Sequence, residues 1–216
     1  AGQILNVILN VLDGDNGTPV VVPVTVQEGG TVITGTYIVQ VGHNTDDLTI
    51  DGHTNDHPTN PVTDLAGNLL LDSSSSGGNL KTLGGGSAGT LSTGIIIDTT
   101  PPEITEWLTT AGTYYDGDSV PIQLRINEPA MAGGTISVRP NTLGASRSAI
   151  VLELDPNDNT LLVGTYEVEL GESTNDTDLV VAIESSTLTD LAGNALASTD
   201  SAPQSGVIVD GSITLK

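Results

Sequence analysis

The stretch Ile95-Ile96-Ile97-Asp98-Thr99-Thr100-Pro101-Pro102-Glu103-Ile104 divides the chain. A β-branched run ends on an acid, two threonines and two prolines follow, and a new strand pattern begins. Paired prolines lack backbone donors and hold an extended path, which suits a joint between two β domains. A shortened copy, Val207-Ile208-Val209-Asp210-Gly211-Ser212-Ile213-Thr214, closes the chain. Two copies of one joint imply a repeat.

Outward from the joint, three anchors align the halves. Gly2 to Asp13 matches Gly117 to Glu128 at equal spacing, and Gly35-Thr36-Tyr37 matches Gly164-Thr165-Tyr166. Thr63-Asp64-Leu65-Ala66-Gly67-Asn68 recurs letter for letter as Thr189-Asp190-Leu191-Ala192-Gly193-Asn194. Such identity, in register with the other anchors, points to duplication. In the first half, strands are expected at 4–12, 20–26, 31–33, 37–41, 48–50 and 93–97. In the second they are expected at 104–108, 120–126, 135–138, 149–154, 161–170, 179–183 and 207–209. Pro23 favours an edge or a bulge. The polar stretch 51–60 and the Ser/Gly-rich segment 73–89 read as loops.

Composition agrees with an all-β chain. Thr, Val, Ile, Gly, Asn and Asp abound, there is no Phe and only one Trp, so the core must come from Val, Ile and Leu. Five basic residues against 27 acidic ones give a net charge of −22. Phosphate binding needs Lys and Arg, so nucleic acid is excluded as an expected partner. So acidic a surface repels itself unless cations screen or bind it. The absence of cysteine excludes disulfides and thiolate metal sites. No apolar run is long enough to span a membrane, and no membrane insertion is expected.

Asp98-Thr99-Thr100-Pro101-Pro102, Asn127-Glu128-Pro129-Ala130 and the Asp-Leu-Ala-Gly-Asn boxes resemble the bacterial immunoglobulin-like repeats of large calcium-dependent surface adhesins. The resemblance covers nearly the whole chain and implies two tandem immunoglobulin-like β-sandwiches. The expected division is 1–98, 99–210 and a short tail, 211–216. One departure stands out: Asp13-Gly14 occupies the place of Glu128-Pro129.

In a seven-strand sandwich of this type, the entry linker, the loop after the second strand and the loop before the last strand share one end. That arrangement gathers Asp98, Glu103, Glu128 and Asp190 at the joint. Hard oxygen ligands on a loop-rich junction suit Ca²⁺. The resemblance implies the same, since such repeats commonly hold calcium at their junctions and stiffen by it. The alternative is that these acids only close Asx-turns.

Other motifs carry less. Asp13-Gly14-Asp15-Asn16-Gly17 starts like a calcium loop, but Val24 stands where a helical EF-hand needs its bidentate Glu. His43, His53 and His57 share an acidic segment without a helix to set zinc-ligand spacing. Gly85-Gly86-Ser87-Ala88-Gly89 fits a nucleophile-elbow pattern without the strand–turn–helix context it needs. No catalytic constellation emerges, and no enzyme activity is expected.

Glu103 to Leu108 gives the second unit a first strand with no counterpart before Gly2, while Gly211 to Lys216 falls where another first strand would begin. An open sheet edge invites another chain. Head-to-tail self-association is therefore expected if Ser212 to Lys216 completes the first unit of the next subunit. Asp210 would then join Asp13 and Asp64 in copying the calcium joint. A piece of a longer repeat array would show the same ends, with neighbouring repeats as partners. Either way the protein is expected to be an extracellular or cell-surface structural or adhesive protein. A carbohydrate- or ice-binding module is the rival reading, weakened by five aromatic residues and by threonines without a fixed period.

Overall fold

The computed structural model describes residues 2–14, 17–27, 33–70, 94–142, 149–197, 202–204 and 206–212. The 73–89 segment with its Gly-x-Ser-x-Gly match, the Gly29-Gly30 turn and tail residues 213–216 lie outside them. The described residues are all-β, with no helix, as the composition requires. The chain forms two compact units, Ala1–Thr100 and Pro101–Lys216.

The second unit holds β5 (Ile104–Leu108), β6 (Gly112–Tyr115), β7 (Ser119–Ile126), β8 (Thr135–Pro140), β9 (Ile150–Asp155), β10 (Asp158–Glu167), β11 (Leu179–Ser186), β12 (Ala202–Gln204) and β13 (Val207–Asp210). One seven-stranded sheet runs in the order β12-β11-β8-β9-β10-β7-β5, and β13 pairs separately, in parallel, with β6. Period-two burial along β7 explains the strand. Val120, Ile122, Leu124 and Ile126 point inward while Gln123 and Arg125 stay part-exposed. These four pack with Ile136, Val138, Leu152, Leu162, Tyr166, Leu179, Val181, Val207 and Val209 into one core. At Gly164 a Cβ would come within 2.4 Å of Leu152 Cδ2 and 3.0 Å of the Val151 carbonyl oxygen, so only glycine lets β10 approach β9.

The first unit holds β1 (Ile4–Leu12), β2 (Pro19–Val26), β3 (Ile33–Thr34) and β4 (Ile50–Thr54), in the order β3-β2-β1-β4. β1 repeats the alternation of β7, with Leu5, Val7, Leu9 and Val11 buried at the matching positions. Gly35 meets Val24 and the Pro23 carbonyl as Gly164 meets Leu152 and the Val151 carbonyl, so the second anchor is a packing constraint as well as a sequence match. The buried core is smaller, comprising Leu5, Val7, Leu9, Val11, Val22 and Ile97.

Several expected elements differ. Residues 37–41 form no strand: Ile38, Val39 and Val41 are exposed, and the segment ends at Gly42 with φ of 90°. The strand expected at 48–50 is β4 instead, inside the stretch that reads as polar. Pairing of Val7 with His53 turns that imidazole into the core, so a polar letter occupies an inward position. Of the strand expected at 93–97, only Ile97 among the described residues makes a bridge, to Thr45. β6 and β12 were not expected; Gly112-Thr113-Tyr114-Tyr115 has too few aliphatic residues to stand out.

The edge of β1 that reads as open is covered. β4 pairs with Asn6 to Leu9, Asn10 N–H donates to the Thr49 carbonyl, and Leu12 bridges to Asn44. Residues 44–54 thus lie along the side of β1 opposite β2.

Candidate metal centre

Two loops of the second unit bring two of the expected acids together. Ala130, just after β7, bridges to Asp190, and Met131 N–H donates to the Thr189 carbonyl. The loop after β7 is thereby stitched to the box preceding the last strands. Glu128 is part-exposed and Asp190 is 1% exposed, and their carboxylate oxygens lie within 4.8 Å of one another. Two like charges so placed repel unless a cation or proton compensates them.

Asp190 also closes its own loop. Its Oδ1 accepts from the Asn194 backbone N–H at 2.8 Å, and its Oδ2 accepts from Asn194 Nδ2 at 2.8 Å. Asp190 N–H donates to the Asn194 carbonyl at 3.0 Å, and Gly193 takes φ of 94° at the turn. The identical box in the first unit does the same. Asp64 Oδ1 accepts from the Ala66 and Asn68 amides at 2.9 Å, and Oδ2 accepts from Asn68 Nδ2 at 2.8 Å. The Asn68 side-chain bond, then the Asn68 backbone bond, holds Asp64 below the usual carboxylate range. The repeated letters are therefore accounted for by a self-closing Asx loop. Environment separates the copies: Asp64 is exposed, whereas Asp190 is buried beside Glu128.

The other expected ligands have hydrogen-bonded settings of their own. Glu103 is exposed, its backbone clasped by Asn127: Glu103 N–H donates to Asn127 Oδ1 at 2.8 Å, and Asn127 N–H to the Glu103 carbonyl at 3.0 Å. Asp98 lies in the first unit, where its Oδ1 accepts the Thr100 N–H at 2.9 Å. Asp210 ends β13, held below the usual carboxylate range by the Ser212 hydroxyl and then its amide. Among the described residues, Glu103, Asp13, Asp64, Asp210 and the three histidines join no group of three close ligand atoms.

One buried arrangement escaped the sequence reading. Tyr166 Oη–H donates to Glu172 Oε2 at 2.7 Å, and Glu169 N–H donates to the same oxygen at 2.7 Å; Glu172 is fully buried. The signal was available: Gly164-Thr165-Tyr166 extends to Gly171-Glu172, as Gly35-Thr36-Tyr37 extends to Gly42-His43.

Beside this geometry, comparison with known proteins gives no lead: the chain matches no protein family, no curated protein and no solved structure.

Proposed function

We propose that the chain is a non-enzymatic, extracellular or cell-surface structural or adhesive protein. In this reading both units are immunoglobulin-like sandwiches, and Ca²⁺ stiffens the joint between them. The observation that carries it is the pair Glu128 and Asp190, one part-exposed and one buried, with carboxylate oxygens within 4.8 Å. Asp98 would supply the third carboxylate. Pro102 is fixed to the second unit by the bond from Ala197 N–H to its carbonyl, and Asp98 precedes it by four residues. Backbone carbonyls and water would complete the six to eight oxygens that Ca²⁺ takes.

The sandwich reading has its own support. β5, β7, β10 and β9 stand side by side in the order of the A, B, E and D strands of an immunoglobulin sheet, and β8 pairs with β11 as C pairs with F, although here β8 also pairs with β9 and joins all six in one sheet. Partners under this reading are neighbouring repeats of the same kind. Strand donation by residues 212–216 finds no support beside β1, where residues 44–54 already lie.

Isothermal titration with CaCl₂, on the intact chain and on E128Q, tests the site. The expected result is saturable binding that weakens at least tenfold in E128Q, since one of few charged ligands is lost. Equal heats from both proteins would sink it. Small-angle scattering with and without EDTA tests the stiffening: an unchanged profile would reject calcium as the hinge lock even if calcium binds.

A further inference from the structure

Both units build the same buried clasp with a different acceptor. In the second unit Glu172 Oε2 takes two donors, the Tyr166 hydroxyl and the Glu169 amide, while Oε1 accepts from the Thr142 hydroxyl at 3.4 Å. In the first, His43 stands at the matching place, 5% exposed, with Tyr37 Oη 2.8 Å from its Nδ1. Gln40 N–H, the counterpart of Glu169 N–H, donates to the same Nδ1 at 3.3 Å. An amide can only donate, so this Nδ1 carries no proton, the ring proton sits on Nε2, and the tyrosine hydroxyl donates. Tyr37 also stacks on the ring, centroids 5.7 Å apart and planes within 15°.

The backbone around the acceptor holds the chain that leaves each unit. Gly171 N–H donates to the Gly211 carbonyl at 2.8 Å. In the first unit Gly42 N–H donates to Thr99 Oγ1 at 2.8 Å, and Thr99 Oγ1–H to the His43 carbonyl at 3.3 Å. Thr99 N–H in turn donates to Asn44 Oδ1 at 2.7 Å. Residues on both sides of His43, and its own carbonyl, thus grip Thr99.

We infer that His43 is an acid-sensitive latch on the chain leaving the first unit, and that Glu172 makes the corresponding latch of the second unit resistant to mild acid. A protonated carboxyl still keeps an acceptor oxygen, whereas an imidazolium has none. Protonation of Nδ1 turns the Gln40 N–H contact into a donor–donor conflict and forces the Tyr37 hydroxyl to reverse from donor to acceptor, which unseats the ring and releases Thr99. Histidine is the side chain whose charge ordinarily changes between about pH 5 and 8. The titratable groups on the segments packed around it are Tyr37, Asp13 beside Gly14, Asp46 and Asp47 on its own segment, and Asp98 next to Thr99. No Lys or Arg occurs among the described residues of this unit.

Nuclear magnetic resonance on the intact chain tests this. Ring nitrogen shifts at about pH 7.5 should show the proton on Nε2, and going to about pH 5 should cut the amide protection of Gly42 and Thr99 about tenfold. Gly171 and Gly211 amides, in the second unit, should keep theirs. H43Q, which accepts at every pH, should abolish the response, and H43E, which copies the second unit, serves if H43Q fails to fold. A proton on Nδ1 at neutral pH would overturn the proposal. So would unchanged protection of Gly42 and Thr99, parallel loss in both units, or a response that survives either substitution.

Discussion

Tyr166 shows how much one hydroxyl can decide. Its ring fills the core of the second unit, fully buried, and its Oη supplies Glu172 with a hydrogen bond at 2.7 Å. Y166F keeps the ring and removes that donor, so the buried carboxylate loses part of its solvation. A loss of about 1–3 kcal/mol is expected in urea or guanidinium unfolding, the cost of under-satisfying a buried polar group. Y37F takes one of two donors from a neutral ring, and its cost should lie nearer the roughly 1 kcal/mol of an ordinary hydrogen bond. Asp158 is a surface contrast. The Thr160 hydroxyl and amide, and then Arg125 at 3.0 Å, pull its pKa down from 3.8 to about 2. The folded value is depressed, so its contribution to stability is intact above the unfolded pKa and fades as pH falls from there toward about 2. A carbon-detected carboxylate titration should place the Asp158 midpoint well below 3.8, and D158N should remove that part of the acid dependence.

At the scale of elements, the two Asp-Leu-Ala-Gly-Asn boxes warn against reading chemistry from identity. Both fold as the same self-closing loop, and both leave their leucine, Leu65 and Leu191, exposed. The resemblance of letters reports a turn; only Asp190, beside Glu128, has a second acid against it. Gly211 is hydrogen-bonded into the second unit. Its N–H donates to the Glu172 carbonyl at 2.8 Å, and its carbonyl accepts from Gly171 N–H at 2.8 Å. A Cβ there would stand 2.4 Å from the Glu169 carbonyl oxygen, which is backbone and cannot swing aside. G211A should therefore destabilise the second unit by about 1–3 kcal/mol, the usual cost of overpacking. It should also raise exchange at the Gly171 amide. An unchanged unfolding midpoint would show that the chain does not dock there.

For the whole molecule, the two units differ in how much they bury. Six buried apolar residues make the core of the first, against sixteen in the second, among the described residues. Apolar burial is the main favourable term in folding, so the first unit should unfold at a lower temperature. Trp107, the single tryptophan, packs against the core of the second unit and reports on that unit alone. Calorimetry should show two transitions, with only the upper one visible in tryptophan fluorescence. Saturating Ca²⁺ should raise that upper transition by about 2.7 kcal/mol at a hundredfold excess over Kd, and should not do so in E128Q. The sequence by itself determined the all-β class, the repeated anchors, β1 and β7 with their alternating cores, and the nearness of Glu128 to Asp190 within a larger expected set that also held Asp98 and Glu103. Each of these is written locally, in period-two hydrophobicity or in letters at fixed spacing, which any strand or turn must obey. Tertiary structure alone decided that β4 lies along β1, that His53 faces inward, and that His43 and Glu172 are buried as partners of the two tyrosine hydroxyls. It also separated Glu103 from the acid pair. A strand's partner and a polar residue's burial depend on segments far along the chain, and no local pattern of letters encodes them.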